Sequence, residues 1–149
     1  MNNHFNPKNN PRVIIIQKLY GKFYNEDDNL DFPKHRFKKF IKDIVTGTIE
    51  RDEVLIEEIK KTFGNEFSFE KTDKVFQVIL KSSTYEILYK PKLSLNIIIK
   101  EYLDASNFFL EFSQTKYLNS SNFFLENSQT KYLNALLDNI GKKLRSKNA

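Results

Sequence analysis

Residues 129–144, QTKYLNALLDNIGKKL, predict a helix more clearly than any other part of the chain. Apolar side chains recur there every three or four positions, at Tyr132, Leu133, Leu136, Leu137, Ile140 and Leu144. This spacing places them on one face of a helix, and such a stripe is buried when the helix packs against others. The closing segment therefore predicts a helical bundle.

Four earlier segments have the same periodicity. The first runs from Arg12 to Tyr24, and the second covers residues 34–63, either as one long helix or as two with a bend near Gly47. A third opens at Asp73 and stops before Pro91, and a fourth covers residues 94–109. Short runs such as VIII and NIII also suit strands, but the longer windows favour helices. We predict an all-α bundle of about six to eight helices.

Two serines interrupt the apolar face of the third segment, Ser82 and Ser83. Small side chains at such positions allow a neighbouring helix to approach closely. The alternative is that both serines are simply exposed. The sequence leaves both interpretations open.

The chain has 149 residues, enough for one domain with a substantial core. Residues 1–11 are Asn-rich with two prolines and predict a flexible arm, followed by a single helical domain over residues 12–149. The absence of cysteine excludes disulfides and thiolate metal sites and fits a reducing compartment. Neither a membrane span nor a secretion signal is evident. We expect a cytoplasmic protein.

Positive charge is concentrated in three places. The segment before residue 26 contains cations and no acid, a second basic stretch covers residues 34–42, and the last four cations lie at residues 142–147. If the two chain ends lie together, about eight cations share one face, which is enough to bind a phosphate backbone. The alternative is a solvated surface that promotes solubility.

No pattern typical of an enzyme is present. The four glycines are too sparse for a phosphate-binding loop. His4 and His35 have no partners at metal-ligand spacing, and the carboxylates of residues 26–31 lack the arrangement of a calcium loop. We predict no catalytic residue, no metal site and no cofactor.

A tandem duplication precedes the closing helix. Residues 106–120 and 121–135 are copies, and the stretch SNFFLEFSQTKYLN differs from SNFFLENSQTKYLN only at Phe112 and Asn127. Because fifteen extra residues inside one helix would rotate everything after them by about 60°, we expect each SQT to mark a turn with Ser as the N-cap. The duplication then adds one short helix, either as a new contact surface or as a tolerated insertion.

Five segments, in order, resemble the NusB family of transcription antitermination factors. They are PRVIIIQKLY, FIKDIVTGTIE, VFQVILKSSTYEIL, IIIKEYLDASNFF and KYLNALLDNIGKKLR. Joining residue 111 to residue 127 restores the family's spacing between the last two. The chain is therefore identified as a member that has acquired an insertion.

The resemblance implies two packed helical subbundles without catalytic activity. It implies binding of boxA-like RNA together with NusE, a small-subunit ribosomal protein, within the antitermination complex of RNA polymerase. The positions that match the family's RNA contacts are Lys8, Arg12, Lys131, Tyr132 and Asn134, and those that match its partner contacts are Tyr20, Tyr85 and Glu86. Burial in the core is the alternative role for both of these tyrosines.

The chain departs from the family pattern at its start. Asn9, Asn10 and Pro11 stand where the family usually has arginines, and only Arg12 remains. A helical protein-interaction module without RNA binding is therefore the alternative function. Lys116 and Tyr117 duplicate Lys131 and Tyr132, and we favour the second copy because it leads directly into the closing helix.

Overall fold

The structure is a computed structural model that describes residues 9–25, 30–65, 67–117 and 120–146. The side chains of Tyr24 and of residues 110–128 lie outside this description. The described residues form six α-helices and no strand, as the periodicity predicted. The helices are α1 (Pro11–Tyr24), α2 (Lys38–Glu50), α3 (Asp52–Phe63), α4 (Lys74–Tyr89), α5 (Leu95–Tyr117) and α6 (Ser120–Ser146), with one 3₁₀ turn at Phe69–Lys71.

Capping residues define where two of the helices begin. The Asn10 side chain accepts a hydrogen bond of 2.8 Å from the Arg12 amide, and Pro11 occupies the first turn of α1. The Asp73 carboxylate caps α4 by accepting from the Val75 amide at 2.9 Å. Because Asn10 and Pro11 are buried parts of the folded unit, the predicted arm extends too far at its C-terminal end. Residues 1–8 of that arm lie outside the described residues.

The second periodic segment is two helices, but the chain does not bend at Gly47. The break falls at Arg51, and α2 continues through Gly47. A Cβ on Gly47 would lie 2.2 Å from Cζ of Tyr85, so the missing side chain makes room for the tyrosine ring. Gly47 therefore serves helix packing rather than a turn.

Helix α4 is the centre of the bundle and contacts each of the other five helices. Ser82 and Ser83 are fully buried, and their hydroxyls donate to carbonyls of the preceding turn, at Val78 and Leu80. The interpretation of these serines as exposed residues is wrong. Their small size and internal hydrogen bonds let α4 be buried on nearly all sides.

The duplication lengthens two existing helices. Helix α5 has 23 residues and passes through the first SQT, and α6 has 27 residues and includes the second. The expectation that each SQT marks a turn is wrong. Residues 106–135 contain neither Gly nor Pro, and serine alone does not interrupt a helix that has good formers on both sides.

Candidate nucleic-acid interface

Arg12, the one arginine at the start of α1, is buried. Its side chain is 8% exposed and faces the fully buried carboxylate of Glu86 on α4. Nη2 of Arg12 donates to Oε1 of Glu86 at 2.5 Å, and Nε donates to Oε2 at 3.2 Å. This two-point geometry is the strongest arrangement available to an arginine and a carboxylate. The guanidinium is therefore committed to the core.

Aromatic rings complete the surroundings of this ion pair. The Tyr102 hydroxyl donates to Oε2 of Glu86 at 2.5 Å, and the Arg12 guanidinium lies 4.9 Å from the centre of the Phe40 ring. Burial lowers the pKa of Arg12, but the hydrogen bond and charge of Glu86 outweigh it and leave the pKa raised. Burial, followed by the charge of Glu86, raises the pKa of Tyr102 well above its ordinary value of 10.0. Both groups thus keep the protonation state that binds the carboxylate.

The raised pKa of Tyr102 predicts a late step in an alkaline titration. In the folded protein this phenol stays protonated above pH 10, where an unfolded chain releases the proton. Above pH 10 the unfolded state therefore binds fewer protons than the folded state. The contribution of Tyr102 to the free energy of unfolding is intact below about pH 10 and is lost as the pH rises beyond it. Urea unfolding at about pH 9 and pH 11, compared with Tyr102→Phe, measures this loss. Ionisation of all seven tyrosines in one step near pH 10 would contradict it.

Two residues predicted to bind the protein partner are also buried. Glu86 is the partner of Arg12, and Tyr85 is 7% exposed with its ring against Gly47. Neither presents a surface to another protein, so these two predictions are wrong. Tyr20 is half-buried on α1 and remains a candidate for partner contact.

The candidates on α6 are at the surface. Lys131 and Asn134 are exposed, Tyr132 is 51% exposed, and Leu133 between them is fully buried in the core. Tyr132 borders a groove of about 410 Å³ lined also by Phe67, Ser68, Lys71, Thr72, Asp73, Phe76 and Gln129. An exposed ring beside lysines has the chemistry needed to stack on an unpaired base and to neutralise a phosphate.

The structure separates these α6 residues from Arg12. The Tyr132 groove reaches the start of α4 at Phe76, whereas Arg12 contacts α4 at Glu86. Ten residues of helix correspond to about 15 Å along the axis. Arg12 and Lys131, which both match the family's RNA contacts, therefore do not share one cationic face.

Cations near the end of α6 are committed to intramolecular contacts. The Arg145 guanidinium donates to the carbonyls of Ile87, Leu93 and Lys90, at 3.3, 2.6 and 3.2 Å. Lys142 pairs with Asp138, and Lys143 donates to the Lys61 carbonyl. Lys8 lies outside the described residues. Among these cations, Arg145 is therefore held against the end of α4, whereas Lys142 and Lys143 remain exposed.

The basic stretch before and within α2 is exposed. Its side chains at Lys34, Arg36, Lys38, Lys39 and Lys42 are all open to solvent. The sequence shows this stretch as a charge block, but the family motifs do not include it as a contact. It is the part of the surface that motif reasoning missed.

Neither a metal site nor a membrane span is found in the described residues. No group of three His, Asp or Glu side chains there has the spacing to hold a metal ion. No described helix combines the length and the apolar character required to cross a bilayer.

Comparison with known proteins decides the family. The model of the NusB family matches residues 9–120, which is more than half of the chain. The chain belongs to the NusB family. Its fold also matches the solved structure of T. maritima NusB with a TM-score of 0.65 and 18% identity, over 93% of each chain. The NusB-like all-α fold is thereby confirmed.

Relatives with the name transcription antitermination protein NusB are distant in sequence. The protein of Sphingopyxis alaskensis is 25% identical over 108 residues, covering 72% of this chain and 62% of that protein. The protein of Carboxydothermus hydrogenoformans is 28% identical over 119 residues, covering 70% of this chain and 82% of that protein. The chain thus spans less than two thirds of the length of the Sphingopyxis relative.

Proposed function

We propose that this NusB-family chain is a non-catalytic transcription antitermination factor that binds boxA-like RNA together with NusE. The observation that carries the proposal is the family match over residues 9–120. Relatives from several bacteria are named transcription antitermination proteins. The protein would then act in the cytoplasm, within the antitermination complex of RNA polymerase.

The surface of α6 supports RNA binding. Tyr132 is half exposed beside a groove that contains Lys71, and Lys131 and Asn134 are exposed on the same helix. Single-stranded RNA is recognised by such combinations of an aromatic ring, cations and amides. We therefore keep Lys131, Tyr132 and Asn134 as RNA-binding candidates and remove Arg12 from that set.

Fluorescence anisotropy with labelled boxA-like RNA, with and without NusE, tests this function. We expect the pair to bind RNA more tightly than either protein alone, and the affinity to fall steeply with salt. Tyr132→Ala should weaken binding about tenfold through the loss of one stacked base. Tyr89→Ala, which removes another exposed tyrosine at the opposite end of α4, is the matched control. A pair that binds no better than its components at low and moderate salt would refute the proposal.

Burial of Arg12 favours a second candidate, a helical protein-interaction module without RNA binding. With Arg12 in the core, the family's arginine cluster has no exposed representative among residues 9–12. The same titration separates the two functions. A chain that binds NusE but gives no salt-dependent RNA signal is such a module.

A further inference from the structure

The start of α2 has the densest free positive charge in the described part of the chain. We name it the α2 cationic surface, consisting of Lys34, Arg36, Lys38, Lys39 and Lys42. None of these five side chains forms an ion pair within the described residues, and the first turn of α2 contains no acid. By contrast, Lys60, Lys61, Lys81, Lys90 and Lys100 each pair with a carboxylate. As far as the described residues show, the charge at α2 is therefore available to an external anion.

Two phenylalanines lie among these cations. Phe37 is 42% exposed, and the Arg36 guanidinium lies 5.3 Å from the centre of its ring. A groove of about 710 Å³ is bordered by Arg36, Phe37, Lys39, Phe40, Lys42 and Asp43. The carboxylate of Asp43 is bound by Lys90, so it offsets little of the positive charge in the groove.

One residue of this groove also contacts the buried network. Phe40 lines the groove, and its ring centre lies 4.9 Å from the Arg12 guanidinium. Arg12 itself is buried and does not line the groove.

We propose that the α2 cationic surface, together with Phe37, binds a segment of single-stranded RNA. The lysines neutralise successive phosphates, and the Phe37 ring stacks on an unpaired base. Lys38 and Lys42 lie one helical turn apart, about 6 Å along the axis, so both can follow one RNA backbone. Cations that line a groove beside an exposed ring are the features of single-strand binding without strict sequence preference. This inference rests on the proposed function, because it specifies where RNA is bound.

Charge-neutral variants test the surface in the full chain. The three lysines of α2 are replaced together by glutamine, which gives the variant Lys38→Gln, Lys39→Gln, Lys42→Gln. A control loses the same charge at exposed lysines elsewhere, as Lys61→Gln, Lys92→Gln and Lys100→Gln. Anisotropy with a labelled RNA of about 12 nucleotides is measured with NusE over a range of salt.

The α2 triple variant should lose about 100-fold in affinity near 0.1 M salt, and its salt slope should fall by about 2. Phe37→Leu, which keeps the apolar bulk without the ring, should lose about tenfold. The control variant should bind within about threefold of the unmodified chain, and melting temperatures verify that all variants fold.

Three outcomes would overturn the inference, and they are distinguishable. If the unmodified chain binds RNA and the α2 variant binds equally well, the surface is not an RNA site while the proposed function stands. If the unmodified chain with NusE binds no RNA, both proposals fail. If the α2 variant loses NusE in the absence of RNA, the surface binds protein instead.

Discussion

Replacement of Arg12 by methionine is expected to lower the free energy of unfolding by about 3–5 kcal/mol, a large fraction of the stability of a domain of this size. The substitution removes both hydrogen bonds to Glu86 and leaves a fully buried carboxylate opposite an apolar side chain. Tyr102 alone then solvates that charge. Urea unfolding followed by circular dichroism measures the loss.

The control for this prediction removes the whole polar cluster. Arg12→Met combined with Glu86→Leu and Tyr102→Phe replaces each charged or polar group with an apolar one. Because no unpaired charge is then buried, most of the lost stability should return. A single Arg12→Met variant with wild-type stability would contradict the assignment of Arg12 to the core.

Replacement of Arg145 by methionine is expected to cost about 2–3 kcal/mol. Its guanidinium donates to three carbonyls of the α4 end and the chain that follows, at Ile87, Lys90 and Leu93. Carbonyls at a helix C-terminus lack partners within the helix, and a cation there also offsets the partial negative charge of the helix end. Thermal and urea unfolding measure the effect.

Lys142→Met is the matched control for Arg145. Lys142 is on the same helix, but its ammonium is exposed and pairs only with Asp138 one turn away. Such surface pairs contribute about 0.3–0.5 kcal/mol. Equal losses from the two substitutions would show that the three carbonyl contacts of Arg145 have no special role.

The helices could be predicted from the sequence because each has an apolar stripe with a period near 3.6. The ends of the helices could not be predicted as well, because they depend on contacts with other helices. Gly47 suggested a bend, yet its reason for being glycine is the ring of Tyr85, which is 38 residues away in the chain. The SQT stretches suggested turns, yet α5 and α6 pass through them. Local patterns indicate where a helix can end, whereas packing decides where it does.

Packing also decides which of the predicted RNA-binding residues reach the surface. Lys131, Tyr132 and Asn134 are exposed, consistent with their predicted role, because Leu133 fixes which face of α6 is buried. Arg12 was assigned to the surface because no local feature of its sequence shows a carboxylate partner. Glu86 lies 74 residues further along the chain. The sequence does contain one signal for this pair. Glu86 is the only charged residue in the stretch STYEIL, and an acid that is buried in an apolar helix needs a cationic partner.

The most direct test of the account is the RNA affinity of the folded triple variant Arg12→Met, Glu86→Leu, Tyr102→Phe, measured with NusE beside the unmodified chain. Because RNA contacts are assigned to α6 and to the α2 cationic surface, we predict affinities within about threefold and equal salt slopes. A loss of RNA affinity of tenfold or more, with the salt slope reduced by the amount expected for about one phosphate contact, would show that Arg12 binds the RNA. That result would contradict the assignment of Arg12 to the core.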